Sequence, residues 1–76
     1  MINFGIAYSG KDGKDFSTIS PYIEDNFETS VECSKVAQKM KKEGFQNVTS
    51  FYFDPEQLDE DEITWEFVKA HKLKNF

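Results

Sequence analysis

The chain has 76 residues, 14 acidic residues, nine lysines and no arginine, which together give a formal net charge of −5. An acidic chain without arginine lacks the side chain that best recognises phosphates and guanine edges, so this composition argues against direct nucleic-acid binding. A single cysteine excludes an internal disulfide, and no apolar run is long enough to span a membrane. We therefore expect a cytoplasmic protein that is not associated with a membrane.

The length predicts a single domain over residues 1–76. A domain of this size buries only ~60% of the surface that its unfolded chain exposes, so its core must be thin. Eight phenylalanines, three tyrosines and one tryptophan compensate, because each aromatic ring buries a large apolar area.

The first predicted element is a strand, since bulky residues alternate with small or polar ones at Ile2, Phe4, Ile6 and Tyr8. The segment Ser9–Lys14 then predicts a hairpin turn. A three-residue loop would place Tyr8 opposite Phe16 and Ile6 opposite Thr18, whereas a two-residue loop, Asp12-Gly13, would place Tyr8 opposite Ser17. We prefer the first register because it packs better, with a second strand over Lys14–Ser20.

A helix is predicted after a connector that spans Pro21–Glu28. Thr29 and Glu32 have the spacing of a capping box, and four apolar residues then share one helical stripe: Cys33, Val36, Ala37 and Met40. Gly44 should end the helix, with Phe45 packed against Met40.

Two further strands are predicted towards the C-terminus, Asn47–Phe53 and a fourth that begins at Ile63 and extends as far as His71. The residues after it, 72–76, should form a frayed tail unless Leu73 and Phe76 dock. The predicted fold is therefore α+β, a ββαββ two-layer domain with one helix packed on one face of an antiparallel sheet. The other face would stay open, as a solvated or interface surface, and would carry Gly5, Ala7, Val48, Tyr52 and Val68.

The negative charge is concentrated in residues 54–62, which we call the acidic segment. Six of these nine residues are acids and none is basic, so the rest of the chain carries 9 − 8 = +1. The acids are Asp54, Glu56, Asp59, Glu60, Asp61 and Glu62. They could form a solvated loop, or a recognition surface that imitates a phosphate backbone and enters a basic groove, extended by Glu24, Asp25 and Glu28. Tyr52 is the predicted exposed aromatic anchor beside them.

No catalytic, cofactor or metal site is predicted. Cys33 lies on the apolar stripe of the helix, and the only histidine, His71, is distant in sequence, so one Cys and one His do not make a zinc motif. Gly10–Lys14 lacks the glycine spacing of a phosphate-binding loop and leads into a strand. We therefore expect the chain not to be an enzyme.

The sequence favours a small binding protein that occupies a surface of a larger protein. Its most concrete form is an inhibitor or nucleic-acid mimic aimed at a basic groove, by analogy of size and charge with small acidic proteins of phages and mobile elements. The alternative is a structural or accessory subunit that forms a homodimer through the open sheet face or an edge strand.

Overall fold

The computed structural model describes residues 2–16 and 20–73, with only the backbone described at residues 25, 26 and 60. The α+β class is confirmed. The strands are β1 (Asn3–Tyr8), β2 (Gly10–Lys11), β3 (Lys14–Asp15), β4 (Tyr22–Phe27), β5 (Phe45–Gln46) and β6 (Thr49–Phe53). The helices are α1 (Ser30–Lys42) and α2 (Trp65–Ala70), and a short 3-10 turn spans Glu60–Glu62.

The main sheet is antiparallel and has β1 in its centre, in the order β4-β1-β6. The outer edge of β6 is covered by the segment after α2. There, Lys72 forms an isolated bridge with Phe51, and the amide of Leu73 donates to the carbonyl of Ser50 at 2.9 Å. Leu73 therefore docks, which is the alternative to a frayed tail that the sequence left open. Phe76 lies outside the described residues.

The hairpin after β1 has the two-residue loop that the sequence analysis did not prefer. Lys11 pairs with Lys14, and the loop residues Asp12 and Gly13 have φ angles of 57° and 82°. Positive φ at both positions is typical of the primed turns whose twist matches that of paired strands, and this preference outweighs the apolar pairing that favoured the longer loop. The hairpin belongs to a second small sheet, β3-β2-β5.

On the side of β1 opposite β6, its partner is β4, which lies within the segment predicted as a connector. Tyr8 pairs with Tyr22 and Ile6 with Glu24. Ser17 and Thr18 of the predicted second strand lie outside the described residues. The sequence YIEDNF has three consecutive polar residues, and its pairing with β1 over long range sets its conformation more than its own propensity does.

The helix α1 confirms its prediction closely. The Thr29 side chain accepts a hydrogen bond from the amide of Glu32 at 3.2 Å, and Cys33, Ala37 and Met40 are buried while Val36 is half-buried. Gly44 has φ +97°, the left-handed conformation that ends many helices. The stripe packs on Ile6 of the sheet, with Phe45 and Val48 beside it.

The opposite face of the sheet is covered as well, which contradicts the prediction of an open face. Ala7 is 0% exposed and packs with Phe51, Phe53, Ile63 and Val68. Gly5 is also buried, because the Phe51 ring lies over it: a Cβ at Gly5 would lie 2.9 Å from Phe51 Cζ. Val48 belongs to the α1 side, where it packs on that core.

The predicted fourth strand is the helix α2. Thr64 caps it, since its Oγ1 accepts from the amide of Phe67 at 3.2 Å, and Val68 is its buried residue. A short apolar run fits a strand and a buried helical turn about equally well, and here the cap at Thr64 favours the helix. Within residues 2–16 and 20–73, neither helix is long and apolar enough to cross a membrane.

Candidate partner-binding surface

The acidic segment is folded into two local turns. The Asp54 carboxylate accepts from the amide of Glu56 at 3.0 Å, and the Asp54 carbonyl accepts from Leu58 at 3.1 Å. Further along, the amide of Glu62 donates to the carbonyl of Asp59 at 2.9 Å. These bonds give the segment a local turn structure, from which its exposed carboxylates project.

Apolar residues within and just after the segment attach it to the core. Leu58 packs against the core beneath α2, and Ile63, directly after the 3-10 turn, is fully buried in it. The acidic side chains of Glu56, Asp59, Asp61 and Glu62 are exposed, and Asp54 is half-buried. The structure describes only the backbone of Glu60. Leu58 and Ile63 thus anchor the two ends of the acidic run 59–62.

A row of aromatic rings, which sequence reasoning did not identify, crosses the surface where the two sheets meet. We call Phe16, Tyr22, Tyr8 and Phe45 the aromatic row. Phe16 lies edge-on to Tyr22 with centroids 6.5 Å apart, Tyr22 stacks on Tyr8 at 5.6 Å, and Tyr8 lies edge-on to Phe45 at 5.0 Å. The Lys11 Nζ lies 4.9 Å from the centre of the Phe45 ring.

The outer end of the aromatic row is open to solvent. Phe16 is 56% exposed and Tyr22 is 46% exposed. Burial and the nearby carboxylate of Glu24 raise the pKa of Tyr8, so Glu24 lies close to the row. Along β4, the exposed residues Tyr22 and Glu24 alternate with the half-buried Ile23. This alternation is the sequence signal that could have identified Tyr22 as an exposed ring.

The acidic segment and the aromatic row meet at one cleft. The cleft has a volume of about 360 Å³, and its lining includes Tyr8 and Tyr22 of the aromatic row together with Asp61 and Ile63. A carboxylate and an exposed ring therefore face the same volume. This combination can bind a cation, because the carboxylate supplies charge and the ring supplies an electron-rich face.

Tyr52, the predicted anchor, does not line this cleft. It is 39% exposed, and its ring lies edge-on to His71 with centroids 5.2 Å apart. His71 in turn stacks on Phe67 at 4.0 Å, and its Nδ1 lies 3.0 Å from the Phe67 carbonyl oxygen. Tyr52 and His71 thus belong to the packing of the C-terminal segment against β6.

Cys33 is a core thiol on α1. Its Sγ donates to the carbonyl of Gly5 at 3.4 Å, and burial, together with Glu32, raises its pKa although a hydrogen bond from Ser50 lowers it. A raised pKa keeps the thiol neutral, which is the inactive form of a cysteine nucleophile. Within residues 2–16 and 20–73, no three Cys, His, Asp or Glu residues are grouped so as to hold a metal ion.

Comparison of the chain with known protein families, curated proteins and solved structures found no match. The candidate surface is defined by its own chemistry. It consists of carboxylates on a folded segment, exposed rings beside them, and a cleft that both of them line.

Proposed function

We propose that the chain is a non-enzymatic binding protein whose acidic segment and aromatic row together occupy a basic surface of a larger protein. The observation that carries the proposal is the cleft shared by Asp61 and Tyr22. An acidic run alone is equally typical of a solvated loop, but exposed rings beside it favour a contact surface.

The two parts of the surface have different roles in this proposal. The carboxylates attract a basic partner over long range and accelerate association. The rings of Tyr22 and Phe16 supply apolar contact area at the centre of the interface and slow dissociation, and a lysine or arginine of the partner binds over Tyr22 next to Asp61. In its most concrete form the protein is an inhibitor, with the acids in the place of nucleic-acid phosphates in a basic groove.

A second candidate function is self-association as an accessory subunit through the outer edge of β4. Among the described residues, β4 pairs with β1 alone, so one edge of the main sheet is unpaired. Glu24 on this strand is exposed, and charges on an edge strand oppose pairing between copies. Sedimentation at micromolar concentration distinguishes this candidate, since only self-association gives a dimer without a partner.

The proposal is tested by charge removal with a matched control. The partner is captured from the native host, and its association kinetics are measured against a variant in which Asp59, Glu60, Asp61 and Glu62 become Asn or Gln, which moves the net charge from −5 to −1. The control variant removes four exposed acids outside the proposed surface, at Asp12, Glu32, Glu43 and Glu66, and has the same net charge.

We expect association to slow roughly tenfold in the first variant and much less in the control, because the position of the charges steers the encounter. Tyr22→Ala should instead speed dissociation by about tenfold. Association should also weaken steeply with salt, since exposed charges are screened over ~8 Å at physiological ionic strength. An unchanged association rate in the first variant, with circular dichroism showing an intact fold, would refute the acidic surface.

A further inference from the structure

A second groove runs along α1, between that helix and the C-terminal segment that covers the edge of β6. It has a volume of about 500 Å³. Its apolar part is formed by Ala37, Val48 and Leu73, and three lysines border it, Lys35, Lys41 and Lys72. Among the residues that the structure describes, no aspartate or glutamate lines the groove. In a chain with 14 acidic residues and a net charge of −5, this is a local reversal of sign.

The lysines are placed on both walls of the groove. Lys35 and Lys41 are six residues apart on α1, which separates them by about 9 Å along the helix axis. Lys72 lies on the opposite wall, because it pairs with Phe51 at the outer edge of β6. The positive charges are therefore distributed along and across the groove, and they do not converge on one point.

Hydroxyl groups at one end of the groove add hydrogen-bond donors. Ser30 and Ser34 are half-buried, line the groove and lie one turn apart at the start of α1. The start of a helix also carries a partial positive charge, which favours an anion beside it, although the amide of Glu32 in the first turn of α1 already donates to Thr29. The lysines and serine hydroxyls near this helix start make up a donor set suited to phosphate, which lysine binds as a point charge.

We propose that this groove binds a small ligand with two or more phosphate groups. The volume lies within the range of small-molecule sites, roughly 300–1,000 Å³. A single phosphate could reach only part of the charge, since Lys35 and Lys41 are a turn and a half apart. The groove is a different surface from the cleft between Asp61 and Tyr22, so this inference stands independently of the proposed protein partner.

The experiment is an amide NMR titration at constant ionic strength with inorganic tripolyphosphate and, separately, orthophosphate. We expect saturable shifts with tripolyphosphate at Ser30, Ser34 and the facing residue Ser50, and binding at least about tenfold tighter than that of orthophosphate. The variant K35Q/K41Q/K72Q should weaken tripolyphosphate binding by roughly tenfold or more. Each ion pair between a phosphate and a solvent-exposed lysine contributes modestly, and three such pairs are lost.

The matched control is K14Q/K39Q/K42Q, which removes three exposed lysines that do not line the groove. Both variants have a net charge of −5 − 3 = −8. The control should weaken binding by less than about threefold, since charges that do not contact the ligand are screened by solvent. Equal losses in the two variants, or shifts that do not saturate, would mean adventitious counter-ion binding and would overturn the proposal. If the triple groove variant fails to fold in a thermal melt, Lys72→Gln alone gives the same comparison against Lys14→Gln.

Discussion

The two faces of the main sheet are covered in different ways. On one face, the long helix α1 packs a regular stripe onto Ile6. On the other face, several short pieces, namely the residues near Leu58 and Ile63 and the two-turn helix α2, pack on Ala7 and Phe51. The residues Ile6 and Ala7 are neighbours on β1, so adjacent side chains of one strand anchor both layers. A thin domain thereby obtains two small cores from one central strand.

This difference between the two faces determines what holds the candidate surface in place. The acidic segment is attached to the face built from short pieces, through Leu58 and Ile63, while the phosphate groove is built on α1. Short pieces have few local hydrogen bonds of their own, so their order depends on the core beneath them. The proposed partner surface should therefore be more sensitive to core mutations than the groove.

The largest expected effect is from Phe51→Ala, because Phe51 is the largest fully buried side chain among the described residues and belongs to the second core. Its ring contacts Phe53 and Phe67, with centroids 5.7 Å and 6.4 Å away. We expect a loss of about 3–5 kcal/mol in the free energy of unfolding, measured by denaturant titration. A loss below 1 kcal/mol would show that the second face is not a core.

Met40→Ala is the counterpart on the α1 side. Met40 is buried and packs with Phe45 and Ala37, so its truncation should cost roughly 2–4 kcal/mol. Both variants should unfold in a single transition, because β1 joins the two cores. Two separate transitions in either variant would mean that the layers fold independently.

The sequence predicted the α1 side well because its signals are local and agree with each other. The cap at Thr29, the stripe from Cys33 to Met40 and the stop at Gly44 each favour the same helix, and all three are confirmed. The exposure of most of the acidic segment also followed from composition, since unpaired carboxylates are rarely buried.

The remaining features depended on long-range contacts that a sequence pattern does not contain. The polar strand β4 is set by its pairing with Tyr8 and Ile6. The stretch from Ile63 to Val68 has apolar residues at the alternate spacing of a strand and also at the three- and four-residue spacings of the helix that forms. The aromatic row forms only because β4 lies beside β1. The sequence prediction paired β1 with a different segment, so it missed Tyr22 and selected Tyr52 as the exposed aromatic residue.

Thr64→Val tests whether the segment on the second face is a helix or a strand. Valine keeps the branched shape and favours a strand, but it lacks the Oγ1 that accepts from Phe67. Because α2 is a helix, we expect a loss of about 1 kcal/mol by denaturant titration, similar to that of Thr29→Val at α1. No loss, or a gain, at position 64 would instead support a strand there.

The smallest expected effect concerns Cys33, which lies beneath Gly5 on the α1 side. Its pKa is raised from an ordinary value of 9.0, mainly by burial, so the folded thiol keeps its proton at pH values where the unfolded thiol loses it. The folded state then binds more protons than the unfolded state, and the stability from this group is complete below about pH 9 and is lost as the pH rises further.

Cys33→Ala isolates this contribution, because alanine does not ionise. The variant should be less stable than the wild type at pH 7, since it loses the thiol packing and the bond to Gly5, and the difference should narrow between pH 8 and pH 10.5. Tyr8 also has a raised pKa, so its ionisation lowers the stability at high pH as well. Because Tyr8 is present in both proteins, its effect cancels in the difference between their stabilities. Denaturant midpoints across that range provide the measurement. A constant difference would mean that the thiol ionises equally in the folded and unfolded chains, and the close packing of α1 on β1 would then not exclude water from Cys33.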